Sequence, residues 1–535
     1  MKKIGILLFS FVLLLASCST AKPSTAKMLR LASENDFATL HPHKTSSGVD
    51  FQNIGQYLQT LFVYDESGKL SPGAAASYSV SDDGLTYSFE LQPHALWSNG
   101  DRVTASDFAF TWKLLASDKQ ADYRSFLKNV KNGSAIINNE LPADQLGVTA
   151  VNDLLLEVTL ERPLAYFVDI LAFPTMAPIN QKFYEDHADT YGMTALTTVA
   201  NGPFSIKEFQ PDTEIIFEKN INYWDQASVN LDTVSMRVIK DQSTQSLLFD
   251  DFELDMILVD GELNVKYENA PGVATGISPS IIYFYLSNIG AENSPLTNKN
   301  FRQAISTAID KEIITNSILK NGSKPLDTLI PENFGDFDGQ TYRELDPSPK
   351  ETRFNLEKAQ ELLAVAKMEL TDIPLTFELN FPDSALFRNV YENVKAQLEA
   401  NLPGVLVTLN AQPSNLYYSE IMKKQTPAGH GQWGVDYEDV QSFFTLFEST
   451  SNYNYGNYQN AAFDASYHKG DSVELAGSPL ERAAAYFPAE AQVLDDAVFI
   501  PLYQRATKWI AHDNVSGITL SPIMPARQYR FVTVA

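Results

Sequence analysis

The clearest hydrophobic patterning lies between Tyr78 and Trp112. Leu85, Tyr87, Phe89 and Leu91 alternate with polar residues after the turn Ser81-Asp82-Asp83-Gly84, which predicts a strand with one buried face. A second turn, Trp97-Ser98-Asn99-Gly100-Asp101, leads to Thr104-Ala105-Ser106-Asp107, an N-cap with an acid three residues on. Phe108, Trp112 and Leu115 continue at helical spacing. Upstream, Leu29-Arg30-Leu31-Ala32 starts a strand, and Val49 to Leu61 reads as a helix with Phe51, Ile54, Tyr57, Leu58 and Leu61 near one face. Leu154 to Leu160 predicts another strand, followed by a helix opening at Pro163 to Phe167, and Ile215 to Asn220 alternates.

The second half changes register. Leu375, Phe377 and Leu379 alternate, Phe387, Val390, Tyr391, Val394 and Leu398 form a helical stripe, and Val405, Val407 and Leu409 alternate again. Strand, helix, strand with short loops is a βαβ unit and implies a parallel sheet. Glu481 to Leu494 is a further amphipathic helix. The fold class is therefore α/β.

Composition narrows the class. A chain of 535 residues is long enough for two or three domains. Its 40 Lys and Arg against 66 Asp and Glu give a net charge of −26, which argues against nucleic acid, since phosphate binding needs basic surface. Lys2 and Lys3 precede an apolar run from Ile4 to Ala16, too short to span a bilayer comfortably, which reads as a secretory signal. Leu15-Ala16-Ser17-Cys18 resembles the bacterial lipobox, in which the signal is removed before a cysteine that is then acylated. Cys18 is the only cysteine, so no thiol remains for disulfides, catalysis or metal. Ser19 to Lys27 is small and polar and reads as a tether.

Local enzyme motifs are absent: there is no G-x-S-x-G, H-E-x-x-H or G-x-x-x-x-G-K. Asp336-Phe337-Asp338-Gly339 has the start of a calcium loop, but Leu345 stands where the bidentate acid is required. His41 and His43 flank Pro42 with no third ligand nearby, so neither a metal nor a cofactor is expected. The segment His430-Gly431-Gln432-Trp433-Gly434-Val435-Asp436-Tyr437 carries the candidate chemistry. A carboxylate between Trp433 and Tyr437 is costly unless a cation pairs with it, and no Lys or Arg lies within several residues. A ligand ammonium is one candidate. The alternative is that Asp436 caps a helix through Ser442-Phe443-Phe444 and that Trp433 is core.

The stretch "DDGLTYSFELQPHALWSNGDRVTASDFAFTW" is similar to the signature of the peptide-binding class of bacterial solute-binding lipoproteins, the OppA/DppA type that serves ABC importers. Asn201-Gly202-Pro203-Phe204 with Tyr223-Trp224-Asp225, the Leu231-Asp232-Thr233-Val234 block through Leu254-Asp255, Phe301-Arg302-Gln303-Ala304-Ile305 with Ala308-Ile309-Asp310, and Ile500-Pro501-Leu502-Tyr503 resemble further blocks of that family, in the same order. The resemblance implies a two-lobed periplasmic-binding-protein-like fold (type II, cluster C) with an extra domain and mixed sheets flanked by helices. It implies a signal peptide over 1–17 and a lipid-anchored tether over 18–27. Lobe I would comprise 28–72, 197–292 and 508–535, the extra domain 73–196, and lobe II 293–507.

The function implied is capture of oligopeptides or dipeptides by a lipid-anchored monomer on the outer face of a Gram-positive membrane, with delivery to an ABC permease. The peptide would pair with backbone at Ser47-Gly48-Val49 and Gly434-Val435. Asp436 matches the aspartate that receives the peptide ammonium, and Trp433 would wall the first side-chain pocket. His430 stands where some relatives hold a ligand carboxylate with Arg. Tyr437, Glu438 and Asp439 read as structural, the two acids as a solvated face. Relatives of this fold that bind nickel complexes, haem or sugars, and a surface hydrolase or chaperone, are the competing readings.

Overall fold

The computed structural model describes residues 27–65, 69–287, 293–347, 352–521 and 523–535. The secretory signal, Cys18 and most of the tether lie outside the described residues. Among the described residues no helix is long and apolar enough to cross a membrane.

Three sheets organise the chain. In the first, Met28–Ser33 lies parallel to Thr233–Val238, which continues antiparallel to Glu214–Lys219 and then Phe204–Gln210. The N-terminal strand thus finds its pairing partner some two hundred residues away, and its Leu29 and Leu31 are buried on one face.

The second sheet is the predicted hairpin region. Thr86–Leu91 pairs antiparallel with Ala75–Val80 and with Leu155–Thr159, and Val148–Asn152 closes the edge. Gly84 makes the hairpin turn at a φ of +70°, which favours glycine. The helix Ala105–Ser117 starts with the expected capping box, Thr104 N donating to Asp107 Oδ2 at 2.9 Å. Asp107 also accepts from Trp97 Nε1 at 3.2 Å and Gln181 N at 3.0 Å, so one carboxylate fixes three segments.

The third sheet has the order Met256–Leu258, Phe499–Ala511, Val273–Leu286, Ala428–Trp433, Thr376–Pro382, Leu406–Gln412, with Lys324–Pro325 paired beside Phe499–Ala511. The predicted βαβ unit is here. Thr376–Pro382 and Leu406–Gln412 are parallel, with Phe377 opposite Val407, and Ala385–Asn401 is the crossover helix. Other predicted elements form with shifted ends, at Gly48–Tyr57, Leu155–Thr159 and Pro479–Asp495. The helix expected from Pro163 shrinks to Phe167–Ile170.

One boundary differs from expectation. Lobe I is expected to hold 197–292, yet Val273–Leu286 pairs with Phe499–Ala511 on both sides of a break at 278–280, and its second half pairs with Ala428–Trp433. The chain therefore joins the large sheet well before 293. The ladder is interrupted between Ile277 and Ile281, where the register shifts. Two long paired strands satisfy their backbone groups continuously, so the sheet runs on until such an irregularity relaxes it.

The large sheet has a different core on each face. Ile282, Phe284 and Leu286 point to one cluster with Val390, Tyr391 and Val394 of the crossover helix. Ile281, Tyr283 and Tyr285 point to the other, shared with Phe443, Phe444 and Tyr486. This period-two division decides which residues of Ala428–Trp433 lie on the Tyr283 and Tyr285 face of the sheet.

Candidate functional site

Ala428–Trp433 pairs antiparallel with Ile281 to Leu286, and its pleat separates two sets of residues. Gly429 and Gly431 lie under the rings of Tyr285 and Tyr283. A Cβ on Gly431 would come within 2.2 Å of the Tyr283 ring, so no side chain fits there. Trp433 follows on the same face, half-buried, with its ring edge-on to Tyr453 at 4.8 Å and Nε1 donating to Ser442 Oγ at 3.1 Å. The chain then leaves the sheet through exposed Gly434 and buried Val435 and delivers Asp436. A Cβ on Gly434 would stand 2.9 Å from Ser280 Oγ.

Asp436 is half-buried and faces Tyr123, whose Oη donates to Oδ1 at 3.5 Å, the outer limit of a hydrogen bond. Tyr123 belongs to the segment that follows the Ala105–Ser117 helix, so the acid looks across from one body of the molecule to another. Among the described residues no Lys, Arg or His forms an ion pair with it. Burial pushes its carboxyl up to about 7, with only the Tyr123 hydrogen bond opposing. Phe51 meets Tyr123 edge-on at 5.2 Å, and Phe173 stacks on Tyr123 at 4.8 Å, which makes the surroundings apolar.

Asp436 does not cap the helix that follows. Gln441–Phe444 is that helix, and Asp439 Oδ1 accepts the Gln441 N–H at 2.8 Å.

Ser47, Gly48 and Val49 do not form the expected extended edge. Ser47 is the N-cap and Gly48 the first residue of Gly48–Tyr57. The apolar spacing of Phe51, Ile54 and Tyr57 carries the helix back to Gly48, and the first-turn N–H groups are left without partners inside the helix. Strand-like pairing at 47–49 is therefore not the local geometry.

His430 is also displaced from its expected role. It lies on the opposite face of the strand from Trp433, 1% exposed, with Nδ1 2.8 Å from Tyr391 Oη and its ring 4.2 Å from Phe387. Burial lowers it to about 3, so it is neutral at physiological pH and turned away from Asp436.

The acids after Asp436 are not a solvated face. Asp439 and Arg482, 7% and 4% exposed, form a two-pronged pair at 2.6 and 2.7 Å. Tyr437 stacks on Tyr166 at 4.9 Å and donates to Gln441 Oε1 at 2.6 Å. Across the same seam stands Asp169. Burial first, then Asp439 and Glu438, push it up to about 8, and burial with Asp336 pushes Glu438 to about 7. A raised folded-state value means that the contribution of Asp169 to stability is complete below its unfolded value of about 4 and is lost as pH rises through about 8. The neutral variant Asp169→Asn is accordingly expected to lose less melting temperature than wild type between about pH 4 and 8. Parallel curves by scanning calorimetry would contradict this.

His41 and His43 are buried with rings 5.4 Å apart, and burial lowers both to about 3. No group of three or more His, Cys, Asp or Glu gathers among the described residues.

Sequence reasoning singled out Asp436 and Trp433 but missed Tyr123, Tyr166 and Arg482. Arg482 left a signal. It sits in the stripe Arg482, Tyr486, Ala489, Val493 of an amphipathic helix, where a charge requires a buried partner.

The chain was compared with known proteins. The model of the bacterial extracellular solute-binding proteins, family 5 Middle, matches residues 69–455. The dipeptide-binding protein DppE of Bacillus subtilis is 29% identical over 511 residues, covering 94% of this chain and 91% of that one. Among solved structures, the substrate-binding domain of an oligopeptide ABC transporter from Bacillus anthracis superposes with a TM-score of 0.81 at 32% identity, covering 96% of this chain and 99% of its own. Listeria monocytogenes OppA bound to peptide gives 0.80 at 28% identity, covering 96% and 100%. With the fold and the length of the match in agreement, the chain belongs to family 5 of the bacterial extracellular solute-binding proteins.

Proposed function

We propose that this protein captures peptides in the gap faced by Asp436 and hands them to an ABC permease. The observation that carries this reading is a carboxyl held at about 7 among aromatic rings, with no protein cation paired to it among the described residues. An arriving ammonium group supplies the missing charge and pulls the proton off. Register is then fixed at the peptide's leading end. Gly434 and Val435 offer backbone beside the acid, and Trp433 offers an aromatic wall. Peptide backbone pairing ignores side-chain identity, which suits a broad substrate range. The names of the relatives, a dipeptide-binding protein and a peptide-bound OppA, support the same class.

In this reading the register shift at Ile277 to Ile281 serves as part of a hinge. Lobe I would take 28–72, the stretch from 197 to that shift, and the C-terminal residues, with 73–196 as the extra domain. Lobe II would run from the shift to about 507. Cys18 would carry the lipid anchor on the extracytoplasmic face, and the protein would act as a monomer with no catalytic step.

The test is calorimetry with matched free-amine and N-acetylated peptides. Strong preference for the free amine is expected, and equal affinities would sink the assignment of Asp436. The pH profile gives a second check. The ammonium must be charged and Asp436 ionised, so the affinity advantage of wild type over Asp436→Asn should be greatest between about 7 and 8. It should shrink about tenfold per unit below 7, as Asp436 takes up its proton, and again above 8, as the amine loses its own. Comparing the ratio cancels the titration of Asp169 and Glu438, which are common to both proteins.

A further inference from the structure

The seam around Asp436 extends to a second contact that lies away from the acid. Arg162 follows the strand Leu155–Thr159 of the second sheet. Asp471 caps the C-terminus of Ala461–Gly470, a helix against the large-sheet domain. Arg162 Nη1 donates to the backbone carbonyl of Asp471 at 2.5 Å, and Nη2 donates to Asp471 Oδ2 at 2.7 Å. Tyr166 Oη donates to Asp471 Oδ1 at 3.3 Å, and Arg162 Nε is steadied by Asn129 Oδ1 at 3.3 Å. The two charged side chains are 26% and 17% exposed, so solvent screens them only in part.

Both groups that Asp471 offers are thus engaged from the other body. Its carbonyl is one of the orphan acceptors at a helix C-terminus, where a cation is favoured. Next to it, Tyr166 stacks flat on Tyr437, with 9° between the rings, and the Arg482 guanidinium sits 5.7 Å from the Tyr166 ring. Separation of the two bodies would return all these groups to water.

We infer that Arg162 and Asp471 form a closure latch, a positioning pair that sets ligand affinity by holding the two bodies together without touching the ligand. The inference rests on the capture reading above only for its ligand readout. Closure favours whichever state makes extra contacts, and a ligand that binds the closed form gains what the latch contributes.

The experiment uses the mature protein with Arg162→Ala, Asp471→Asn, the double variant and the exchange Arg162→Asp/Asp471→Arg. Each single variant is expected to raise the peptide dissociation rate roughly tenfold, between the effects of an exposed and a fully buried pair, with association little changed. The double variant should lose no more than either single one, because the two residues act as one unit. The exchange should recover part of the loss.

Small-angle scattering without added peptide should show a larger radius of gyration for the single variants at unchanged melting temperature. This readout needs no ligand, so it tests the latch even if the ligand class is wrong. Wild-type dissociation rates together with a wild-type radius would overturn the latch. So would losses that add in the double variant. If none of the proteins binds peptide while the radius still shifts, the latch stands and the capture reading falls.

Discussion

Asp436→Asn is expected to weaken binding of a free-amine peptide by about 2–5 kcal/mol without lowering the melting temperature, since burial opposes ionisation of this acid as it does that of Asp169. The asymmetry follows from the environment of the acid. The carboxylate accepts one long hydrogen bond, from Tyr123, and burial already pushes it up to about 7. It contributes little to holding the fold, so its neutral isostere costs little there. With a peptide seated, the same apolar walls strengthen its attraction for an ammonium, since little water competes. The substitution then leaves a desolvated cation facing an amide. N-acetylated peptide, which brings no cation, should bind wild type and variant about equally weakly. A variant that kept wild-type affinity for free-amine peptides by calorimetry would remove Asp436 from the site.

Arg482→Met is the opposite case, with a large effect on stability. It strands Asp439, which is buried, already accepts the Gln441 N–H, and stands near Asp169 and Glu438. Removing one partner of a buried pair costs about 3–5 kcal/mol, because the remaining charge has no water to return to. Denaturant midpoints measure this directly. Adding Asp439→Leu should restore much of the loss, since an apolar pair of similar size avoids the uncompensated charge. If the double variant proved as unstable as Arg482→Met, the deficit would come from lost packing against Tyr166 and Tyr486 rather than from the orphaned acid.

The two aspartates are three residues apart, yet they play different parts. Asp439 has its cation within the fold and serves stability. Asp436 has none among the described residues, and the capture reading assigns its charge to the guest. Local sequence does not separate them, because the partner of Asp439 arrives from 43 residues further along and the neighbour of Asp436 from 313 residues back.

Much was nonetheless legible along the chain. Period-two alternation located the strand at Thr86–Leu91 and the parallel pair Thr376–Pro382 and Leu406–Gln412, and helical stripes located Ala385–Asn401 and Pro479–Asp495. These were readable because burial of one face imposes its period on neighbouring residues whatever that face meets. The same alternation already sets His430 opposite Trp433 within one strand, so its separation from the Trp433 face follows from parity once the strand is recognised.

What sequence alone determined, then, is the set of elements, the family signature and the isolation of Asp436 from nearby cations. Tertiary structure alone decided which surfaces meet: that Tyr123 faces the acid, that Arg482 serves Asp439, that Gly48 opens a helix, and that Arg162 reaches Asp471. The reason is that periodicity records which face of an element leaves water, whereas the partner of a charge depends on distant segments brought together only when the chain closes on itself.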